Sequence, residues 1–419
     1  MRLLSAVGVL VACASCGAAS RDARSESARD AGSAAAGLSS GPADAGSEAP
    51  AKLALRGCFD AHADPSFTWI AHLSDDGRLA LGFEGTDHAG PGSLQLFDLG
   101  RPSPLDAPEV VSIGGLMGIE SALMLGSRTA GWVGASQPFA SRDGLIEIVR
   151  PSQPPVIARL DARAYHNRGA FSLAATSDLE TIAVGMTFAI AAGCDDRRDF
   201  CIHPGAVEIY RRSGSVLALV ETVQPETVRH DHAFFGSSVS MSADGSVLAA
   251  GSEERALVFV KRGVAYALAD EIVPPDDAGL SFVVQHFGDE VSMSSDGRMV
   301  VIGNPTFGSD RGRVLVFTRR GDAWTRAADL LGPARNLRLG DVASISPDGK
   351  VVAAAAAEGD ERHLFVFRAT TAGTFVAPHA VDLPKARPGS GSYLRWIGLD
   401  RTGGHVATLD SDGTVCVLQ

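Results

Sequence analysis

Beyond its first dozen residues, no stretch of this 419-residue chain is long and apolar enough to span a bilayer as a helix. It lacks a basic surplus. The formal charge is −12, from 37 Lys and Arg against 49 Asp and Glu, and no basic cluster interrupts that balance. A nucleic-acid partner is therefore not expected. Three common catalytic signatures are missing: there is no H-E-x-x-H, no P-loop and no G-x-G-x-x-G. Those absences speak against the classes that carry them, not against an enzyme whose groups come from separate parts of the chain. Residues 17–50 have no aromatic residue and almost no large aliphatic one. Such a segment cannot bury a core, so it is expected to be a disordered tether over 13–50.

What the chain does have is a repeat. The text FFGSSVSMSADGSVLAAGSEERALVFVKRG from Phe234 returns as HFGDEVSMSSDGRMVVIGNPTFGSDRGRVLVFTRRG from His286. An Asp-Gly turn between two apolar runs anchors each unit, at Asp244, Asp296 and Asp348, 52 residues apart. Looser versions fall at Asp76, Arg128, Asp178 and Asp400, which makes seven units. Inside a unit the period is two. Val239 and Met241, then Val247 and Ala249, alternate with small polar residues across the turn, as in a hairpin whose turn needs positive φ. A third run ends in basic residues and Gly, and a poorer fourth run often meets Pro. Four strands, about fifty residues and seven repetitions predict an all-β fold over 51–419. That fold is a seven-bladed β-propeller of four-stranded antiparallel blades.

The last unit reaches Gln419 with three strands. Its fourth is expected from Leu53–Phe59, before the first unit, so that an N-terminal strand closes the ring. Closure lays Cys58 beside Cys416, and a disulfide there would lock the propeller. Cys194 and Cys201 flank DDRRDF in one insertion. A local disulfide is the default there, and a metal site with His203 the alternative.

Met1–Cys13, MRLLSAVGVLVAC, resembles a bacterial lipoprotein signal peptide with its lipobox, Leu10-Val11-Ala12-Cys13. The resemblance implies cleavage after residue 12 and lipidation of Cys13, with Cys16 as a competing site. A secretory signal cut elsewhere, or a short membrane anchor, remains the other reading. Ala14, where retention signals carry Asp, implies the outer membrane of a bacterial cell envelope. The units around Phe235-Gly236, Asp244-Gly245, Phe287-Gly288 and Asp296-Gly297 resemble the FG-GAP repeats of integrin-α-type propellers. The sixth, Ile345–Lys350, is similar to the WD40-like repeats of TolB-type periplasmic propellers. Calcium-binding FG-GAP members carry D-x-D-x-D-G where this chain has S-x-D-G, so calcium is not carried over and no cofactor is expected.

In such a fold the loops entering the inner strands share one face. His166, His232 and His286, with Asp231 and Asp289, are the candidate ligand-binding residues at the axial mouth there. The plainer account is polar loop residues bonding backbone groups. Trp69, Trp132, Trp324 and Trp396 read as packing residues. The leading functional expectation is a binding module for a protein or glycan, with the membrane reached only through the lipid. The alternatives are a propeller hydrolase or lyase with a metal at the axial mouth, using His166, His232 and His286, and a TolB-like envelope-assembly component.

Overall fold

The computed structural model describes residues 53–61, 67–83, 92–101, 108–113, 121–125, 131–136, 145–149, 155–159, 171–187, 205–225, 234–252, 254–275, 286–334, 337–358, 361–385 and 393–419. Among them are seven four-stranded antiparallel sheets, one per sequence unit, arranged as a β-propeller. Blade 4 is typical. Its strands are Val239–Met241 nearest the axis, then Val247–Ser252, Arg255–Arg262 and the outermost Ala265–Ile272. The second strand is buried at every position. It has a strand on each side and a blade against each face, which is why its text is the apolar run Val-Leu-Ala-Ala-Gly rather than an alternation. The outer strand of blade 3, Val216–Val223, is mostly exposed, with single buried residues packed inward.

Each Asp-Gly turn is held by the same small network. The Ser242 hydroxyl donates to Asp244 Oδ1 at 2.7 Å and accepts from the Val247 N–H at 3.0 Å, while the Ser246 N–H donates to Asp244 at 2.9 Å. Ser294 with Asp296 and Ser346 with Asp348 repeat it, also at 2.7 Å. Gly245, Gly297 and Gly349 follow with φ between +66° and +75°, the conformation the turn demands of its Gly.

The turns are also joined to one another around the axis. Ser177 N–H donates to Ala243 O, Ala243 N–H to Ser295 O, and Ser295 N–H to Pro347 O, at 2.8–3.1 Å. Pro347 has no N–H to pass on. Asp348 supplies the next link, to Arg401 O at 3.0 Å, and Arg401 N–H reaches Asp75 O at 2.9 Å. This hoop runs through blades 3, 4, 5, 6 and 7 to blade 1.

Between blades the Phe-Gly pairs do the packing. Phe235 and Phe287 are fully buried, each among residues of its own blade and of the blade before. Leu339 fills the same place between blades 5 and 6.

The ring closes as the sequence predicts. Leu55–Asp60 pairs with Thr414–Leu418 as the outer strand of blade 7, and Cys58 stands directly opposite Cys416. The two are disulfide-bonded, with Cα atoms 4.1 Å apart and 358 residues between them in the chain. No helix among the described residues is long and apolar enough to cross a membrane.

Candidate functional site

Of the residues singled out at the axial mouth, His286 and Asp289 are described. His166, Asp231 and His232 lie outside the described residues, as do Cys13, Cys194 and Cys201. His286 Nδ1–H donates to Asp289 Oδ2 at 2.7 Å, and both side chains are about half exposed. This hydrogen bond holds the His286 imidazole above its ordinary pKa, against a smaller opposing effect of burial. One unit later, Arg338 pairs with Asp341 at 3.0 Å in the same two positions. Phe234, His286 and Arg338 all adopt left-handed backbone, at φ of 62°, 71° and 48°. The Ser237 N–H donates to Phe234 O, and the Asp341 N–H to Arg338 O, across the same turn. The His286–Asp289 pair is therefore one of two copies, in blades 5 and 6, of a side-chain staple across this left-handed turn; blade 4 keeps the turn with Phe234 and Ser237 and lacks the staple. Among the described residues no group of three or more His, Cys, Asp and Glu is placed to hold a metal ion.

A different set of residues meets on the axis. The inner strands of blades 1, 3, 4, 5, 6 and 7 line a cavity of about 480 Å³, within the range typical of small-molecule sites. One ring of its lining is Ser240, Ser292 and Ser344 on blades 4 to 6, Trp396 on blade 7, His72 on blade 1 and Ala174 on blade 3. The serines tie blades together. Ser240 Oγ accepts from the Met293 N–H at 3.0 Å, and Ser292 Oγ from the Ile345 N–H at 3.2 Å. Inner strands have no ladder partner on the axial side, so each hydroxyl satisfies a backbone donor of the next blade. On the other side of the ring the pattern changes to rings. The Trp396 indole lies over Gly398, where a methyl group would meet it at 2.5 Å.

Two residues before the ring position, towards the end away from the Asp-Gly turns, the repeat breaks its own rule. Ser238 bridges from blade 4 to the Val291 N–H at 3.2 Å. The equivalent residue on blade 5 is Glu290. Its carboxyl lines the cavity and makes no hydrogen bond to the described residues. It is part-exposed to the cavity, and desolvation, helped by the nearby Asp289 charge, pushes its pKa up to about 8. Beside it Ser237 also lines the cavity, and its Oγ is buried with no hydrogen-bond partner among the described residues. His72 is pulled down to about 4 by burial, so it is a neutral imidazole at physiological pH. At the opposite end Asp75 is raised, chiefly by burial, with Arg401 and Ser295 opposing.

Glu290, Ser237 and His72 were not singled out from sequence, and Trp396, expected to be packing between blades, also faces the cavity. A signal existed. Aligned on the Asp-Gly turns, the units place Glu290 where blade 4 has Ser238 and blade 6 has Val342. Charge at an inner-strand position is the departure to look for. No protein-family model matches this chain, and no curated protein sequence matches it. The chain is a seven-bladed β-propeller closed by its N-terminal strand.

Proposed function

We propose that this propeller is a binding module that takes its ligand in the axial cavity, at the end away from the Asp-Gly turns. One observation carries the reading. At that end Glu290 is desolvated and unpaired among the described residues, in a position where the repeat elsewhere uses Ser238 to tie blades together. A part-exposed carboxyl whose pKa is raised, set in a cavity, marks a candidate ligand site. In the same reading the module is held at the bacterial cell envelope, by lipid on Cys13 and the tether of residues 13–50, in keeping with the lipobox-like text. The FG-GAP-like units would then be scaffold, as propeller repeats usually are.

A photo-crosslinking residue at position 237, compared with one at Val264 on the outer rim, tests where the ligand sits. Crosslinks in the native host from 237 and none from 264 support the cavity. Crosslinks from 264 alone overturn it. Incorporation of a palmitate analogue that disappears in Cys13→Ser tests the anchor separately.

A further inference from the structure

The cavity presents an unfilled carboxyl at one end and a second carboxyl at the other. At the upper end is the Glu290 carboxyl, to which no described residue donates a hydrogen bond. The lower end carries Asp75, shared with Arg401 at 3.6 Å and with Ser295. Glu290 and Ser295 bound one inner strand and its turn, five residues apart, which at about 3.3 Å per residue spans roughly 16 Å. Between the ends lie the serine ring and Trp396. Arg395, the guanidinium of the described lining, already has an interaction partner. A group that donates several hydrogen bonds, accepts none and carries positive charge fits the upper end. A methylene chain fits the middle, and a second positive group fits the lower end.

We propose that the axial cavity binds a linear polyamine, one ammonium held by Glu290 and the chain running past Trp396 towards Asp75. This rests on the reading that the cavity is the ligand site. The Trp396 face favours a cation passing it. In the empty cavity the Glu290 carboxyl holds its proton at neutral pH, so pairing with an ammonium releases it. The charged or titratable groups near it are Asp289 and His286 on its own loop, Arg338 and Asp341 on the next, Arg395 on blade 7, and His72 and Asp75 on blade 1. His72 stays neutral above its lowered pKa, and the Arg338–Asp341 pair is balanced.

Calorimetric titration of the intact chain with spermidine, at pH 7 and in two buffers of different ionisation heat, is the test. One-to-one binding with net proton release is expected, tightening about fivefold from pH 7 to pH 8 as the Glu290 carboxyl ionises. Glu290→Gln should weaken it at least tenfold with its melting transition intact. Unchanged affinity in Glu290→Gln, or no binding at pH 9 where the carboxyl is ionised, overturns the proposal. Should Glu290→Gln not fold, the proton release and pH profile of the unaltered chain decide it. Crosslinks from position 237 without spermidine binding would overturn the polyamine alone and leave the cavity as the site.

Discussion

A methyl group placed on Gly251 would stand 1.9 Å from the carbonyl oxygen of Gly288 in the next blade. The same approach recurs from Gly303 to Gly340 at 2.0 Å and from Gly185 to Gly236 at 2.2 Å. The glycine of one unit's second strand thus exists for the Phe-Gly or Leu-Gly step of the following unit. Two signature residues of the repeat explain each other across the blade boundary.

Gly251→Ala should therefore force two blades apart and cost about 3 kcal/mol, at the upper end of overpacking effects. Gly263 is the control, since its added methyl meets nothing within 4 Å and only its φ of +67° is penalised. Gly263→Ala should cost about 1 kcal/mol. Denaturant unfolding of both variants checks this, and equal losses would count against blade contact as the reason for the glycine.

Cys58 and Cys416 close a loop of 358 residues. Chain-entropy reasoning gives such a link on the order of 5 kcal/mol. Replacing both by Ser should lower unfolding stability by several kcal/mol under oxidising conditions. A reductant should have little further effect on that variant. Comparing unfolding with and without reductant for both proteins checks it.

The cavity carboxyl and imidazole give opposite pH slopes. Glu290 is raised from 4.5 to about 8, so the folded protein keeps a proton that the unfolded chain releases, and stability falls as pH rises across that interval. His72 is lowered from 6.5 to about 4, so the unfolded chain takes up a proton first, and stability falls as pH drops from 6.5 to 4. From these two groups the slopes oppose each other below 6.5, and a decline of about 1 kcal/mol per pH unit appears between 6.5 and 8. Glu290→Gln should abolish that decline and leave the rise from pH 4 to 6.5. Melting temperature against pH for both proteins is the measurement.

Ser292 Oγ accepts from the Ile345 N–H at 3.2 Å. Ser292→Ala strands that donor on the axial side, at a cost of about 1–2 kcal/mol. Faster amide exchange at Ile345 than at Val352 in the same blade would accompany it.

How far the sequence reaches depends on whether a feature repeats. The Asp-Gly turns, the buried second strands and the pairing of Cys58 with Cys416 were legible because period and closure determine them without side-chain detail. His286 and Asp289 were marked for being ionisable and near the mouth. Their pairing is a turn staple, visible only when Arg338 and Asp341 are aligned with them. Glu290 stayed hidden for the opposite reason. A single carboxylate in a polar stretch looks solvated, and only the convergence of six inner strands makes it desolvated.

The ring is closed at two radii: near the axis Arg401 N–H on Asp75 O joins blade 7 to blade 1, and at the rim Cys58 on Cys416 joins the first strand to the last. The chain enters the propeller through Leu53, just ahead of the rim strand. Tension along the N-terminal segment therefore arrives five residues from a covalent bond. It loads that bond directly instead of unzipping Leu55–Asp60 one hydrogen bond at a time, so the propeller resists pulling from that end in a way its hydrogen bonds alone would not allow.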